Sequence, residues 1–506
     1  MTISDGEPDF EGGSDTGQFG RAGRRVTASV LSGYGNTLLI SGLGALATRL
    51  ITVHTGPTNY GLFVTALTFV SSVTLLTDLG ITSIMGRDIA KTPHGAAEIL
   101  GQNLGLRLTL SVLIIPIVVF VGLILYRAPS LRWTLVLFAV SIPFNAVESI
   151  SLGYYVSSIR NYVASGISFV QQLLFVGGVA IAIQGGYGII GCATSYLIAT
   201  AVSGVAAYVV VQRELRFKPL FNLRSWREVF ARSASLGAIQ VINLLYLKAD
   251  TLLLSKMAKP RAVGLYGVAY SFIGFIVVAP SLILMSVMPL MATSSGERFA
   301  KLLRRTEHSL AVLGAAAVMI TVLFAPQAIA ILSGHRFLGA STALRLLGLS
   351  CYFSFLNTAL GFAAVACNRH HRLVIVSAIG LVLNVGLNVA LIPRLGINGS
   401  ALSTLISEFI ALIAVRWVFA KDVGTKVSLT RLSLRPVFAG TLVTFVSRYA
   451  LLRSWHAPVM TVLWAPAVLV LYFGILALIG GLSEELAYVA EKVKSRYRAR
   501  TSPEQS

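Results

Sequence analysis

Charge is scarce in this sequence. Asp, Glu, Lys and Arg make up 12% of its 506 residues, against 55% hydrophobic residues, whereas a water-soluble domain carries about a quarter charged residues. Too few charges remain to cover a water-facing surface, so a soluble globular protein is excluded. Cysteine is scarcer. Cys192, Cys351 and Cys367 lie in or at the ends of apolar runs with no CxxC spacing, and they read as small packing residues. No GxxxxGKS/T phosphate loop occurs, so ATP is not the direct fuel. DxD and DDxxD are absent too, and no loop exceeds about 25 residues by the span boundaries below. A membrane-embedded glycan polymerase or lipid-phosphate glycosyltransferase needs such acidic clusters or a large loop. The expectation is a protein that is not an enzyme and holds no cofactor or metal.

What the chain has instead is apolar runs near twenty residues long, the length that crosses a hydrocarbon core of about 30 Å. They do not alternate as the strands of a membrane barrel do. Fourteen spans are predicted, over 34–53, 62–80, 104–126, 133–153, 163–184, 188–211, 233–255, 263–291, 308–332, 342–366, 373–393, 397–420, 434–452 and 459–480. Pro116, Pro143, Pro280, Pro289 and Pro326 fall inside spans, where membrane helices tolerate them as kinks. The fold class is all-α and polytopic.

The net charge of +21 suggests nucleic acid only until the basic residues are placed. With the N-terminus inside, 26 of the 41 Lys and Arg fall in cytoplasmic segments and 8 in outside loops; seven remain in or at the edges of spans. That asymmetry orients an even number of spans, with both termini cytoplasmic. No nucleic-acid partner is expected. The cluster "NRHHR" (Asn368 to Arg372) fits the same membrane-surface charge. Residues 1–30, Gly-rich and acidic, read as a disordered tail, and 481–506 as a basic cytoplasmic tail.

"GPTNYGLFVTALTFV" (Gly56 to Val70) returns 203 residues later as "KPRAVGLYGVAYSFI" (Lys259 to Ile273). Pro57, Gly61, Leu62, Ala66 and Phe69 fall on Pro260, Gly264, Leu265, Ala269 and Phe272. "GIIGCATSYLI" from Gly188 likewise matches "GINGSALSTLI" from Gly396 at an offset of 208, and Gly153 falls on Gly361. Spans one to six and seven to twelve are therefore two copies of one six-helix unit, at 31–228 and 229–425, with an added helix pair at 430–480. Six is even, so both copies enter from the same side and are related by a pseudo-two-fold along the membrane normal. Parallel repeats of this kind are typical of transporters whose halves rock about a central cavity.

"RLITVHTGPTNYGLFVTALTFVSSVTLLTDLGITSIMGRDIA" (Arg49 to Ala90) resembles the signature region of bacterial polysaccharide flippases of the Wzx type, in the multidrug/oligosaccharidyl-lipid/polysaccharide exporter superfamily. The matching features are Arg49, the Gly56-Pro57 turn, Tyr60 to Phe63, Asp78 to Gly80 and Arg87 to Ala90. His54-Thr55 stands where the family's turn usually has Leu. The resemblance covers nearly the whole chain. It implies a multi-pass protein of the bacterial inner membrane, MATE-like in fold, that moves an undecaprenyl-diphosphate-linked oligosaccharide to the periplasmic leaflet for surface polysaccharide synthesis. It also implies polymerase or export proteins as partners, and a coupling ion, proton or sodium.

An ionisable side chain inside hydrocarbon costs from about 2.5 kcal/mol upward, so each needs a partner or a wet cavity. On span seven Gln240, Asn243, Tyr246 and Asp250 share one helix face. They read as a cavity-lining stripe in which Asp250 takes a coupling ion; interhelical hydrogen bonding is the alternative. Lys248 lies about 200° around the helix from Asp250, facing the cavity or snorkelling outward. Arg49 is the candidate grip for a diphosphate, or an interfacial anchor; Arg345 and Arg448 share that ambiguity. Glu408 and Glu148 follow Asp250 as ion-coupling carboxylates. Asn357, Asn384 and Asn388, with Ser165, Ser168 and Gln172, offer hydrogen bonds to sugar hydroxyls. Counting Arg49, Lys248, Arg345 and Arg448 against Glu148, Asp250 and Glu408 favours an anionic substrate over the cationic one of a multidrug exporter.

Overall fold

In hydrocarbon each backbone N–H and C=O must be satisfied within the chain, and a helix does this segment by segment. The apolar runs accordingly become helices. The structure, a computed structural model, describes residues 16–158, 160–367, 370–423, 429–451 and 458–481, and among these there is no strand. The first half comprises α1 (Thr16–Asp78), α2 (Ile81–Lys91), α3 (Ala96–Leu125), α4 (Pro129–Val140), α5 (Ile142–Ser157), α6 (Asn161–Gln184) and α7 (Gly188–Glu214). The second comprises α8 (Leu223–Met257), α9 (Pro260–Ala292), α10 (Gly296–Ser333), α11 (Ser341–Ala366), α12 (His370–Leu395) and α13 (Ile397–Val423). The added pair is α14 (Leu429–Leu451) and α15 (Pro458–Leu478).

Among the described residues, ten helical runs are long and apolar enough to cross a membrane. One of them, Asn36–Lys91, is 56 residues long and carries spans one and two. Gly56 breaks it at φ 74, ψ 174, a backbone conformation essentially reserved for glycine. Pro57 then opens the second span, where its missing N–H costs nothing. Each of the fourteen expected spans has a helical segment; α8, α14 and α15 are not among the ten apolar runs.

Span four is one run, Pro129–Ser157, bent where α4 meets α5 at Ser141, whose hydroxyl bonds back to the Phe138 carbonyl at 2.7 Å, with Pro143 in the first turn of α5. One expectation changes: the N-terminal tail ends earlier than residue 30, since α1 begins at Thr16. The acidic residues of the tail are confined to its first fifteen positions, and "RAGRRVTASVL" holds helix formers and no proline. Residues 1–15, 424–428 and 482–506 lie outside the described residues, as do Asn368 and Arg369 of the basic cluster.

Between lipid-soluble helices the hydrophobic effect offers little, so small residues that let backbones approach decide the packing. Helices α1 and α9 meet this way. A Cβ on Gly61 would fall 1.8 Å from the Pro260 carbonyl oxygen, and one on Gly264 would fall 2.0 Å from that of Pro57. Around this contact Phe63, Ala66, Tyr266 and Ala269 are buried in one core shared by both halves. A second core packs α14 and α15 onto α10 through Val443, Tyr472, Leu476, Ala315 and Met319. Tyr472 donates its hydroxyl to the Val312 carbonyl at 3.0 Å. A third gathers α2, α3, α5 and α7 at the end bearing the basic loops, around Met85, Leu100, Leu104, Ile150 and Tyr155.

Candidate functional site

Each half holds a cavity. In the second half, 560 Å³ is enclosed by α8, α9, α11, α12 and α13, with Asn243, Tyr246, Asn357 and Glu408 among the polar wall groups and Leu247, Phe362, Val374 and Val415 among the apolar ones. In the first half, 460 Å³ lies between α1, α5, α6, α7 and α9 and is walled by Thr48, Asn145, Glu148, Gln171, Gln172 and Thr200. A third cavity of 420 Å³ shares Leu67, Asn145, Ser149 and Tyr196 with it and runs on past Ser71, Thr74, Asp78, Thr82, Ser83 and Arg107. The two larger volumes fall within the range of ligand-sized pockets.

Each half also places one carboxylate between its fourth and sixth spans. Glu148 on α5 accepts from Ser203 at 2.7 Å and from Gln171 at 3.0 Å. Glu408 on α13 accepts from Asn357 at 2.8 Å and from Tyr246 at 3.1 Å. At the repeat offset of 208, Ser149 corresponds to Asn357 and Thr200 to Glu408. The duplicated site therefore carries its acid on the fourth span in one copy and on the sixth in the other.

Asp250 stands apart from both cavities. It is 3% exposed and accepts from Asn388 at 2.7 Å, Tyr266 at 2.9 Å and Thr404 at 2.5 Å. Asn388 also donates to the Oδ1 of Asn384 at 3.1 Å. Among the described residues no Lys or Arg pairs with Asp250. Four helices (α8, α9, α12 and α13) thus converge neutral groups on one carboxylate, and two further buried oxygens on the same elements, Asn388 Oδ1 and Ser400 Oγ, lack a partner.

The stripe expected on α8 divides between three places. Asn243 and Tyr246 face the second-half cavity with Asn357 and Glu408. Asp250, Asn384 and Asn388 gather behind its wall. Gln240 reaches the other half, donating to Ser83 at 3.3 Å. The cations expected to favour an anion do not line these cavities: Arg49 and Arg448 are exposed, and Lys248 and Arg345 are half-buried elsewhere. That charge count therefore does not describe the cavities of this conformation.

Sequence reasoning passed over Arg107. It is 3% exposed on α3, pairs with Asp78 at 3.2 Å, and donates to the hydroxyls of Thr82, at 3.1 Å, and Ser149. The signal was present, since "LGLRLTL" is a lone arginine in an apolar run; its place near the start of span three made it look like an edge residue. The buried pair Arg416–Glu307, 2.9 Å across α13 and α10, was missed for the same reason.

The halves touch at both ends. At the end away from the basic loops, Gly61 meets Gly264 and Tyr126 is 2.9 Å from Ser255. At the basic end Arg232 on α8 pairs with Asp88 on α2 at 2.9 Å, and Gly237 packs so tightly on Leu79 that a Cβ there would lie 2.4 Å from its carbonyl oxygen. Leu79 itself holds φ 40.

An all-helical, multi-pass chain whose two related halves each hold a cavity and touch one another at both ends is a membrane transporter. Its fold is that of the exporter superfamily named above. Residues 26–295 match the family described as polysaccharide biosynthesis protein, and the chain belongs to that family. Residues 236–390 match MatE. Among solved structures, the lipid II flippase MurJ in an inward closed conformation is similar at a TM-score of 0.74 and 15% identity, over 87% of this chain and 97% of that one. An inward-facing multidrug resistance MATE family transporter is similar at 0.64 and 17% identity, over 76% and 96%. A superfamily transporter from Pyrococcus furiosus, with a binding pocket of reversed polarity, is similar at 0.59 and 15%, over 79% and 95%. Comparison with curated proteins returns no match.

Proposed function

We propose that this chain moves an undecaprenyl-diphosphate-linked oligosaccharide from the cytoplasmic to the periplasmic leaflet of a bacterial inner membrane. The halves, 31–228 and 229–425, rock against one another, and both termini are cytoplasmic. Within the polysaccharide family, one observation carries the reading: the polar walls of the first-half cavities are mostly hydroxyls and amides, which suit sugar, with the buried Arg107 for phosphate beside the carboxylates Asp78 and Glu148. The contacts of α2 with α8 form the inner gate, and the pair of glycines the outer one.

Coupling to an ion gradient falls to the carboxylates. A hard monovalent cation prefers carboxylate, carbonyl and hydroxyl oxygens. Asp250, Asn384, Asn388 and Thr404 supply that set, and a proton on Asp250 satisfies the same geometry. Glu408 and Glu148, each facing a cavity, are reached by protons from whichever side is open.

The test uses proteoliposomes carrying a fluorescent lipid-linked oligosaccharide and a membrane-impermeant quencher. Transport driven by an imposed sodium or proton gradient supports the reading; no movement under either gradient, with the protein folded, removes it. A second reading has one observation in its favour: the second-half cavity is largely apolar and carries the acid Glu408, as an amphiphilic cation would want. Stimulated efflux of such a cation, with no lipid movement, assigns the chain to multidrug or metabolite export.

A further inference from the structure

Arg107 is bound less completely than a buried guanidinium should be. The group carries five N–H donors in a rigid fork, and its strong partnership with an anion uses two of them in parallel. Here Asp78 offers a single oxygen at 3.2 Å. That same Oδ1 already accepts the Thr82 hydroxyl at 2.5 Å and the Thr82 backbone N–H at 3.3 Å, so its first duty is to cap α2, whose own N-cap Gly80 has no side chain to do so. The Nε of Arg107, on a side chain only 4% exposed, has no partner. Leaving such a donor unmade is costly. Beside it lies the 420 Å³ cavity, with the hydroxyls of Ser83 and Ser149 and the amide of Asn145 on its walls.

We infer that Arg107 is the anion receptor of the first-half cavity, taking a phosphate of the ligand, and that Asp78 occupies one corner of that place until the ligand arrives. The inference rests on the reading that the ligand carries a diphosphate. Arg107 lies toward the end bearing the basic loops, on the far side of the first-half cavities from Gly56. A head group entering from that leaflet meets it before the carboxylate Glu148. The Thr82 hydroxyl serves the ion pair, whereas those of Ser83 and Ser149 on the cavity wall can turn their protons toward phosphate oxygens.

The full-length chain in detergent is tested by native mass spectrometry against undecaprenyl diphosphate, uncharged undecaprenol and inorganic pyrophosphate. The wild type is expected to prefer the diphosphate to the alcohol by about tenfold or more. Arg107→Gln abolishes the preference. Asp78→Asn, which keeps an acceptor for α2 and removes the competing charge, widens it. The double variant removes both charges of the pair and so leaves no uncompensated ion; it is expected to fold and to show no preference. Pyrophosphate competing in the wild type and not in Arg107→Gln assigns the contact to phosphate rather than to the lipid.

A folded double variant that keeps the wild-type preference overturns the inference and leaves the flippase reading standing. So does Asp78→Asn losing the preference as fully as Arg107→Gln, since the pair is then structural. A wild type indifferent to the diphosphate removes both.

Discussion

Gly61 and Gly264 are each other's counterpart in the sequence repeat and each other's neighbour in space. The contact is reciprocal: Gly61 lies on Pro260, and Gly264 lies on Pro57, which is itself the repeat counterpart of Pro260. Residue i touching j′ while j touches i′ is what a two-fold axis produces. The axis of the duplication thus passes through this crossing of α1 and α9, and neither position has room for a methyl group.

Alanine at either glycine is therefore expected to force the helices apart. Overpacking of this kind costs about 1–3 kcal/mol, and the reciprocal geometry predicts similar losses for Gly61→Ala and Gly264→Ala. Gly177 and Gly361, which have nothing within 4 Å of an added Cβ, serve as controls; there alanine is neutral or stabilising by its helix propensity. Thermal unfolding in detergent reads both. Equal behaviour of all four variants rules out a close crossing.

The inner contact is of a different kind. Arg232 and Asp88 have side chains 52% and 20% exposed, and such a pair contributes at most about 1 kcal/mol. Arg232→Asp should barely shift the unfolding temperature yet open the basic end, raising the thiol reactivity of a cysteine placed at Ser83. The charge swap Arg232→Asp with Asp88→Arg should lower it again.

Glu307 and Arg416 are buried far more deeply, with side chains 0% and 14% exposed. Removing one partner of a buried pair costs about 3–5 kcal/mol because the other charge is stranded. Glu307→Ala and Arg416→Ala should each unfold at markedly lower temperature. A joint replacement by Leu and Met should recover most of the loss. Additive losses in that double variant contradict the pairing.

If Asp250 takes the coupling ion, sodium or acid should stabilise the wild type by mass action, by about 2.7 kcal/mol at a hundred times the dissociation constant. Asp250→Asn keeps a side chain of the same shape, and the response should vanish. Thermal unfolding across sodium concentrations at fixed pH, and across pH at fixed sodium, separates the two ions. A full response in the variant moves the coupling site to Glu408 or Glu148.

The sequence reading succeeded where a property belongs to one stretch of chain. Gly56-Pro57 announced the break in α1, and the Gly61 and Gly264 motifs announced two related halves. It was partial for α8. The spacing of Gln240, Asn243, Tyr246 and Asp250 correctly put them on one face, but a face on a membrane helix borders several neighbours along its length. It failed for Arg107, Arg232 and Arg416, left unassigned among the basic residues, because their charged partners Asp78, Asp88 and Glu307 lie in other helices, far back along the chain.

The sequence by itself determined that this chain enters a membrane as helices and that it does so twice over. Hydropathy and backbone hydrogen bonding are settled segment by segment, and a duplication is written in the letters. Only the tertiary structure decided that Glu408 faces a cavity while Asp250 is enclosed by Asn388, Tyr266 and Thr404, and that Arg107 rather than Arg49 is buried beside a cavity. Those outcomes depend on how each helix is rotated against partners supplied by distant parts of the chain, and no local pattern encodes that rotation.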